Sequence, residues 1–314
     1  MVSVALVALA LVGLALPRAH RAAQDAKPEW QRLRDSCAAG SLLDCGNLGV
    51  MYENGSGGLV KDEAKAVELY RHACDGGDML ACGSLGGMYA DGRGVLAKDD
   101  AKAVDLARKA CDGGDMTGCY NLGMMYANGR GGLAKDLAKE AALYEKACDG
   151  GVMMGCSNLS VMYVHGRGGL AKDLAKGAAL CRKACEGGAM EGCAILGTMY
   201  AGGHGGLAKD EVKAVELYRK ACDGAVPLGC GALGAMYDYG RGGLAKDEVR
   251  AVSLYRLACD GGQMLACENL AWTYANGGGG LVKDEAKAVE LFRKACDGGE
   301  EDAGDKLPRR ERSQ

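Results

Sequence analysis

Two cysteines eight residues apart, set around a Gly-Gly turn, recur along this chain every 37 residues. One copy reads Cys74-Asp75-Gly76-Gly77-Asp78-Met79-Leu80-Ala81-Cys82. The leading cysteines are Cys37, Cys74, Cys111, Cys148, Cys185, Cys222, Cys259 and Cys296; the trailing ones are Cys45, Cys82, Cys119, Cys156, Cys193, Cys230 and Cys267. A fixed period without drift dictates a repeat array, in which each unit packs mainly on its neighbours. A length of 314 residues would otherwise indicate two domains, and the period overrides that count. The array is expected over 27–304, between an apolar segment at 1–23 and a polar tail at 305–314.

The 52 glycines fall at fixed places in each unit, so they are turn and packing residues rather than a flexible tract. The net charge of −3, with both signs interspersed, gives no nucleic-acid surface. One Phe and two Trp leave little to stack on bases. Fifteen of the sixteen cysteines keep the constant spacing, and the pairs among them read as disulfides formed in an oxidising compartment, periplasmic or extracellular. Val2 to Leu16 is too short for an ordinary transmembrane helix and suits a signal-peptide core. Arg18, Arg21 and Lys27 follow it, which by the positive-inside rule argues the other way; the regular cysteine pairs outweigh them. Membrane association is expected only if that segment stays uncleaved.

Each unit reads as two helices. Asp78 caps a first helix over Met79 to Ala90, in which Cys82, Leu85, Gly86 and Tyr89 form one apolar face. Gly92 suits a left-handed C-cap, and Gly86 allows close helix approach. After a short linker, Asp99 caps a second helix to about Cys111, burying Ala103, Leu106, Ala107 and Ala110. Pro28 to Cys37 matches a second helix alone and caps the array. The predicted bridges are Cys37–Cys45, Cys74–Cys82, Cys111–Cys119, Cys148–Cys156, Cys185–Cys193, Cys222–Cys230 and Cys259–Cys267. Each closes a short loop, worth roughly 2–3 kcal/mol in the chain-entropy picture. Zinc is the competing reading; it needs four converging ligands, whereas successive pairs lie one repeat apart and histidine is scarce. Cys181 falls in a core-facing column with Tyr70, Tyr144, Tyr218, Tyr255 and Phe292, and Cys296 is left without a partner.

The run Gly205 to Cys222 and the Leu-Gly-x-Met-Tyr-x-x-Gly pattern of Leu85 to Gly92 resemble the Sel1-like repeat. The cysteine spacing resembles its disulfide-bridged, cysteine-rich Hcp-type branch. The resemblance implies an all-α, right-handed α/α superhelical solenoid related to tetratricopeptide repeats, of about seven units. It also implies three roles: adaptors for protein complexes, penicillin-binding proteins with weak β-lactamase activity, and a mitochondrial intermembrane-space assembly factor.

The residues favour the first role. No serine carries a lysine one helical turn on, and there is no Gly-x-Ser-x-Gly or His-Glu-x-x-His. No catalytic residue, metal ligand or cofactor site is therefore expected. The loop arginines Arg93, Arg130, Arg167 and Arg241 read as a solvated edge. The face of the first helices turned away from Leu85 and Tyr89 is the candidate partner-binding surface. Asn47, Asn121, Asn158 and Asn269 offer amides to an extended peptide backbone there, Met125 an adaptable apolar contact, and Trp272 an anchor. Packing between repeats is the competing role for the same residues.

Overall fold

The computed structural model describes residues 27–297, so the expected signal segment, the polar tail and the position opposite Cys296 lie outside the described residues. The described chain is all-α: α1 (Glu29–Ala38), α2 (Leu42–Asn54), α3 (Glu63–Asp75), α4 (Met79–Asp91), α5 (Asp100–Asp112), α6 (Met116–Asn128), α7 (Leu137–Asp149), α8 (Met153–His165), α9 (Leu174–Glu186), α10 (Met190–Gly202), α11 (Glu211–Asp223), α12 (Pro227–Tyr239), α13 (Glu248–Asp260), α14 (Met264–Asn276) and α15 (Glu285–Asp297). Even-numbered helices are the first of each repeat and odd-numbered ones the second. The chain forms two compact units that divide in sequence at Gly118 and Cys119. Each is a stretch of α/α solenoid.

Local chemistry sets the helix ends. Every second helix from α3 to α15 starts at an aspartate whose carboxylate accepts from the N–H three residues on, as Asp62 does from Lys65 at 3.0 Å and Asp210 from Lys213 at 2.9 Å. Such a cap satisfies one of the orphan donors of the first turn. The first helices α2, α4, α8, α10 and α12 end on a glycine in the left-handed region, such as Gly92 (φ 66°). The lysine or arginine one turn into each second helix lies over the tyrosine of the same repeat, as Lys213 over Tyr200 at 4.5 Å.

The core runs between the helices of a pair. In the first unit Ala66, Val67, Tyr70 and Ala73 of α3 interleave with Leu85 and Met88 of α4; in the second, Ala251, Val252 and Tyr255 of α13 meet Leu270 of α14 and Phe292 of α15. The aromatic ring needs a glycine opposite. A Cβ on Gly49 would lie 2.7 Å from Tyr70, and Gly197 and Gly234 stand in the same relation to Tyr218 and Tyr255.

The disulfides join the end of one second helix to the first turn of the next helix. Six carry Cα–Cα separations between 4.5 and 4.7 Å: Cys37–Cys45, Cys74–Cys82, Cys148–Cys156, Cys185–Cys193, Cys222–Cys230 and Cys259–Cys267. Cys111 and Cys119 are disulfide-bonded as well. Cys181 and Cys296 are free. Burial pushes the Cys181 thiol up to about 11.

Candidate peptide-binding face

Within each unit successive first helices touch, α2 with α4, α8 with α10 and α10 with α12, while successive second helices are held farther apart. The first helices therefore line the inner side of each unit. A stripe one residue wide faces outward from that side, at the helical spacing 80, 84, 87 and 91 in α4. Asn47 in α2 and Asn121, Asn158, Asn269 and Trp272 in α6, α8 and α14 all fall on it, exposed or half-buried.

Met125 does not. It is 5 % exposed and belongs to a column of buried methionines with Met51, Met88, Met162, Met199 and Met236. The expectation that it meets a ligand is corrected: it sits one residue round from half-buried Met124, enough rotation to turn it into the core. Asn158 is also occupied. Its amide interacts with the phenols of Tyr120 and Tyr144, whose rings are 5.7 Å apart and whose pKa values burial raises above the usual range.

The sequence reading missed the apolar part of the same stripe. Leu43 and Leu80 in the first unit, and Leu228, Tyr239 and Leu265 in the second, are exposed on first helices. Their signal was the helical phase itself, since Leu80 precedes position 84 by one turn on the Asn stripe. Tyr239 is 70 % exposed and Trp272 43 %, and the small Ala232 and Ala235 fall on the same stripe of α12. Trp272 meets Phe292 edge-on at 5.4 Å, which fixes the indole while leaving part of it open. The stripe carries few charges on α8 to α14, with Glu191 as its acidic member.

The loop arginines are engaged by the protein. Arg93 donates to Glu53 and Glu63, each at 2.8 Å, and Arg241 pairs with Glu211. The neighbouring cations hold the Glu63 carboxyl down at about 2, Lys61 first and then Arg93; Arg241 and Lys209 do the same to Glu211, also about 2. Among the described residues no three His, Cys, Asp or Glu side chains come together as metal ligands, so His165 and His204 do not share such a set. No described helix is long and apolar enough to cross a membrane.

The Sel1 repeat family matches seven segments of the chain, residues 45–78, 80–115, 117–152, 154–188, 191–225, 227–263 and 265–300. The chain belongs to the Sel1 repeat family. Among solved structures, a Sel1 repeat protein from Oxalobacter formigenes superposes with a TM-score of 0.67 at 23% identity, covering 80% of this chain and 96% of that one. The uropathogenic Escherichia coli protein c5321, described as a protective antigen with an SLR fold, gives 0.60 at 28% identity over 88% of this chain. This chain spans only 58% of that protein's length. Helicobacter pylori cysteine-rich protein B is 34% identical over 43% of this chain and 96% of its own, with a TM-score of 0.35. No curated protein matches the chain significantly. Sel1 repeats are scaffolds that mediate protein–protein contacts, and the paired cysteines of this member fit an oxidising environment.

Proposed function

We propose that this Sel1 repeat protein is an exported scaffold that binds a protein partner as an extended peptide along the inner face of its first helices. The observation that carries the reading is the group Leu228, Tyr239, Leu265 and Trp272, apolar side chains left open on α12 and α14 beside the amide of Asn269. Exposed aromatic and aliphatic residues clustered on one face mark a binding surface more often than chance placement. The indole and phenol supply rigid apolar anchors, and the amide supplies a hydrogen bond to a peptide backbone. Few charges line this stretch, so an apolar segment of the partner fits it better than a charged one. Export rests on the disulfides and on the apolar segment at 1–23.

The test is capture from a periplasmic extract under oxidising conditions, with wild-type protein and with Trp272→Ala and Asn269→Ala as baits. The reading predicts a partner that wild type retains and both variants lose while remaining folded. A partner retained equally by all three baits would place the binding surface elsewhere.

A further inference from the structure

Three departures from the repeat pattern meet at one disulfide, Cys222–Cys230, which joins α11 to α12. The first is a lost lysine. Lys183, Lys220 and Lys294 each reach back one repeat and donate to the carbonyl of a leading cysteine, at 3.1 Å to Cys148, 3.2 Å to Cys185 and 3.1 Å to Cys259. In the first unit Lys109 does the same to Cys74, and its ammonium also lies 3.7 Å from the Cys74 sulfur. The residue in that position over Cys222 is Leu257, which has no donor and stands largely exposed.

The second is access. Cys148, Cys185 and Cys259 are buried to 1 %, 5 % and 1 % exposure, whereas Cys222, like Cys37 at the first bridge, is partly exposed. The third is backbone strain inside the bridged loop. The second turn residue is glycine in the other repeats, as Gly188 (φ 94°) and Gly262 (φ 88°), but here it is Ala225 at φ 59°. It is the one described non-glycine residue with positive φ. The Cβ disfavours that conformation.

We infer that Cys222–Cys230 is a site of thiol–disulfide exchange with dithiol reductants, set apart from the protected bridges on either side of it. An incoming thiolate attacks the sulfur of Cys222, the more exposed cysteine of the bridge. The S–S bond breaks, and its electron pair leaves on Cys230, in the first turn of α12 where the helix N-terminus favours a thiolate. The mixed disulfide on Cys222 is then resolved by the second thiol of the reductant, releasing the Cys222 thiolate. The dithiol ends as a disulfide, the protein gains two electrons, and both cysteine sulfurs take protons from the reductant or water. A lysine would attract the attacking anion, but salt screens an exposed charge and a covered sulfur cannot be reached without opening the loop. Access and the strained turn at Ala225 together therefore decide which bridge reacts.

The experiment is a dithiothreitol time course on the oxidised full chain, quenched in acid, alkylated, digested and read by mass spectrometry at each cysteine. Cys222 and Cys230 should be alkylated about tenfold or more faster than the pairs Cys185–Cys193 and Cys259–Cys267, a factor on the scale of the left-handed penalty of one alanine. The doubly substituted Leu257→Lys, Ala225→Gly protein should lose that lead while its other bridges keep their rates. Reduction of Cys222–Cys230 in step with its two neighbours overturns the assignment, and so does a lead that survives both substitutions.

Discussion

The Cys181 thiol donates to the Ser160 hydroxyl across 3.0 Å, at the place where four other repeats close a glycine against a tyrosine ring. Gly49 faces Tyr70, Gly123 faces Tyr144, Gly197 faces Tyr218 and Gly234 faces Tyr255. The fourth repeat has changed both partners together, filling with a hydroxymethyl group part of what the smaller thiol leaves open. Cys181→Tyr alone forces a ring onto the Ser160 side chain and is expected to destabilise by about 1–3 kcal/mol, the usual cost of overpacking. Adding Ser160→Gly should recover most of that loss. A double-mutant cycle in urea measures the coupling, expected at about 1 kcal/mol or more; strictly additive effects would show that the two positions do not answer to each other.

Ser157 lies next to this pair in sequence and buries a hydroxyl without a hydrogen-bond partner. The cause is a substitution one repeat on. Gly46 and Gly83 leave room for the caps Asp78 and Asp115, which accept from the first-turn N–H groups of α4 and α6. At the equivalent place in α10 the cap is Ala189, which offers no side-chain hydrogen bond, and Ser157 occupies the glycine position. An unmet buried hydroxyl costs about 1–3 kcal/mol of desolvation. Ser157→Ala should therefore raise stability by about 1 kcal/mol, seen as a higher urea midpoint at unchanged slope. A lower midpoint would mean that the hydroxyl is satisfied in solution.

Glu63 and Glu211 give the array a defined acid response. Both carboxyls are held at about 2, below their ordinary 4.5, by Lys61 and Arg93 in one case and by Arg241 and Lys209 in the other. A depressed folded-state pKa contributes stability that is fully present above about 4.5 and is lost as the pH falls toward about 2. Glu211→Gln should flatten the fall in melting temperature across that window and change little at pH 7 beyond the loss of an exposed pair. Melting curves of the two proteins that stay parallel from pH 5 to pH 2 would rule this out.

The sequence carried the fold because its signals repeat. Seven copies of one aspartate cap, one cysteine spacing and one glycine C-cap leave little freedom in where helices begin and end, and the bridge Cys74–Cys82 forms as the spacing implies. The face was less legible. Helical phase separates Asn121 from Leu122 well, but it resolves Met124 from Met125 only once the neighbouring helix is known, because both lie near the edge of the apolar arc. The exposed Leu228 and Leu265 drew no notice in the sequence because apolar character alone does not say which side a helix presents. The strained Ala225 and the missing lysine at Leu257 stand out only against the other copies, and their meeting at one disulfide needs coordinates.

Met125 and Trp272 separate packing from binding. Met125 is buried in the second unit, so Met125→Ala should cost about 2–5 kcal/mol of stability through the cavity it leaves. Its folded fraction should bind a partner of the inner face with unchanged affinity. Trp272 rests one edge on Phe292 and opens the rest of its ring to the inner side. Trp272→Ala should cost less stability than Met125→Ala and weaken binding by about 2 kcal/mol or more, as aromatic anchors do. Asn269→Ala should weaken it by about 0.5–1.5 kcal/mol, the net worth of one hydrogen bond. Paired calorimetric titrations and urea melts on the three variants decide the matter. If Trp272→Ala unfolds the C-terminal repeats while the folded remainder binds normally, its indole is a packing residue and the partner approaches another face.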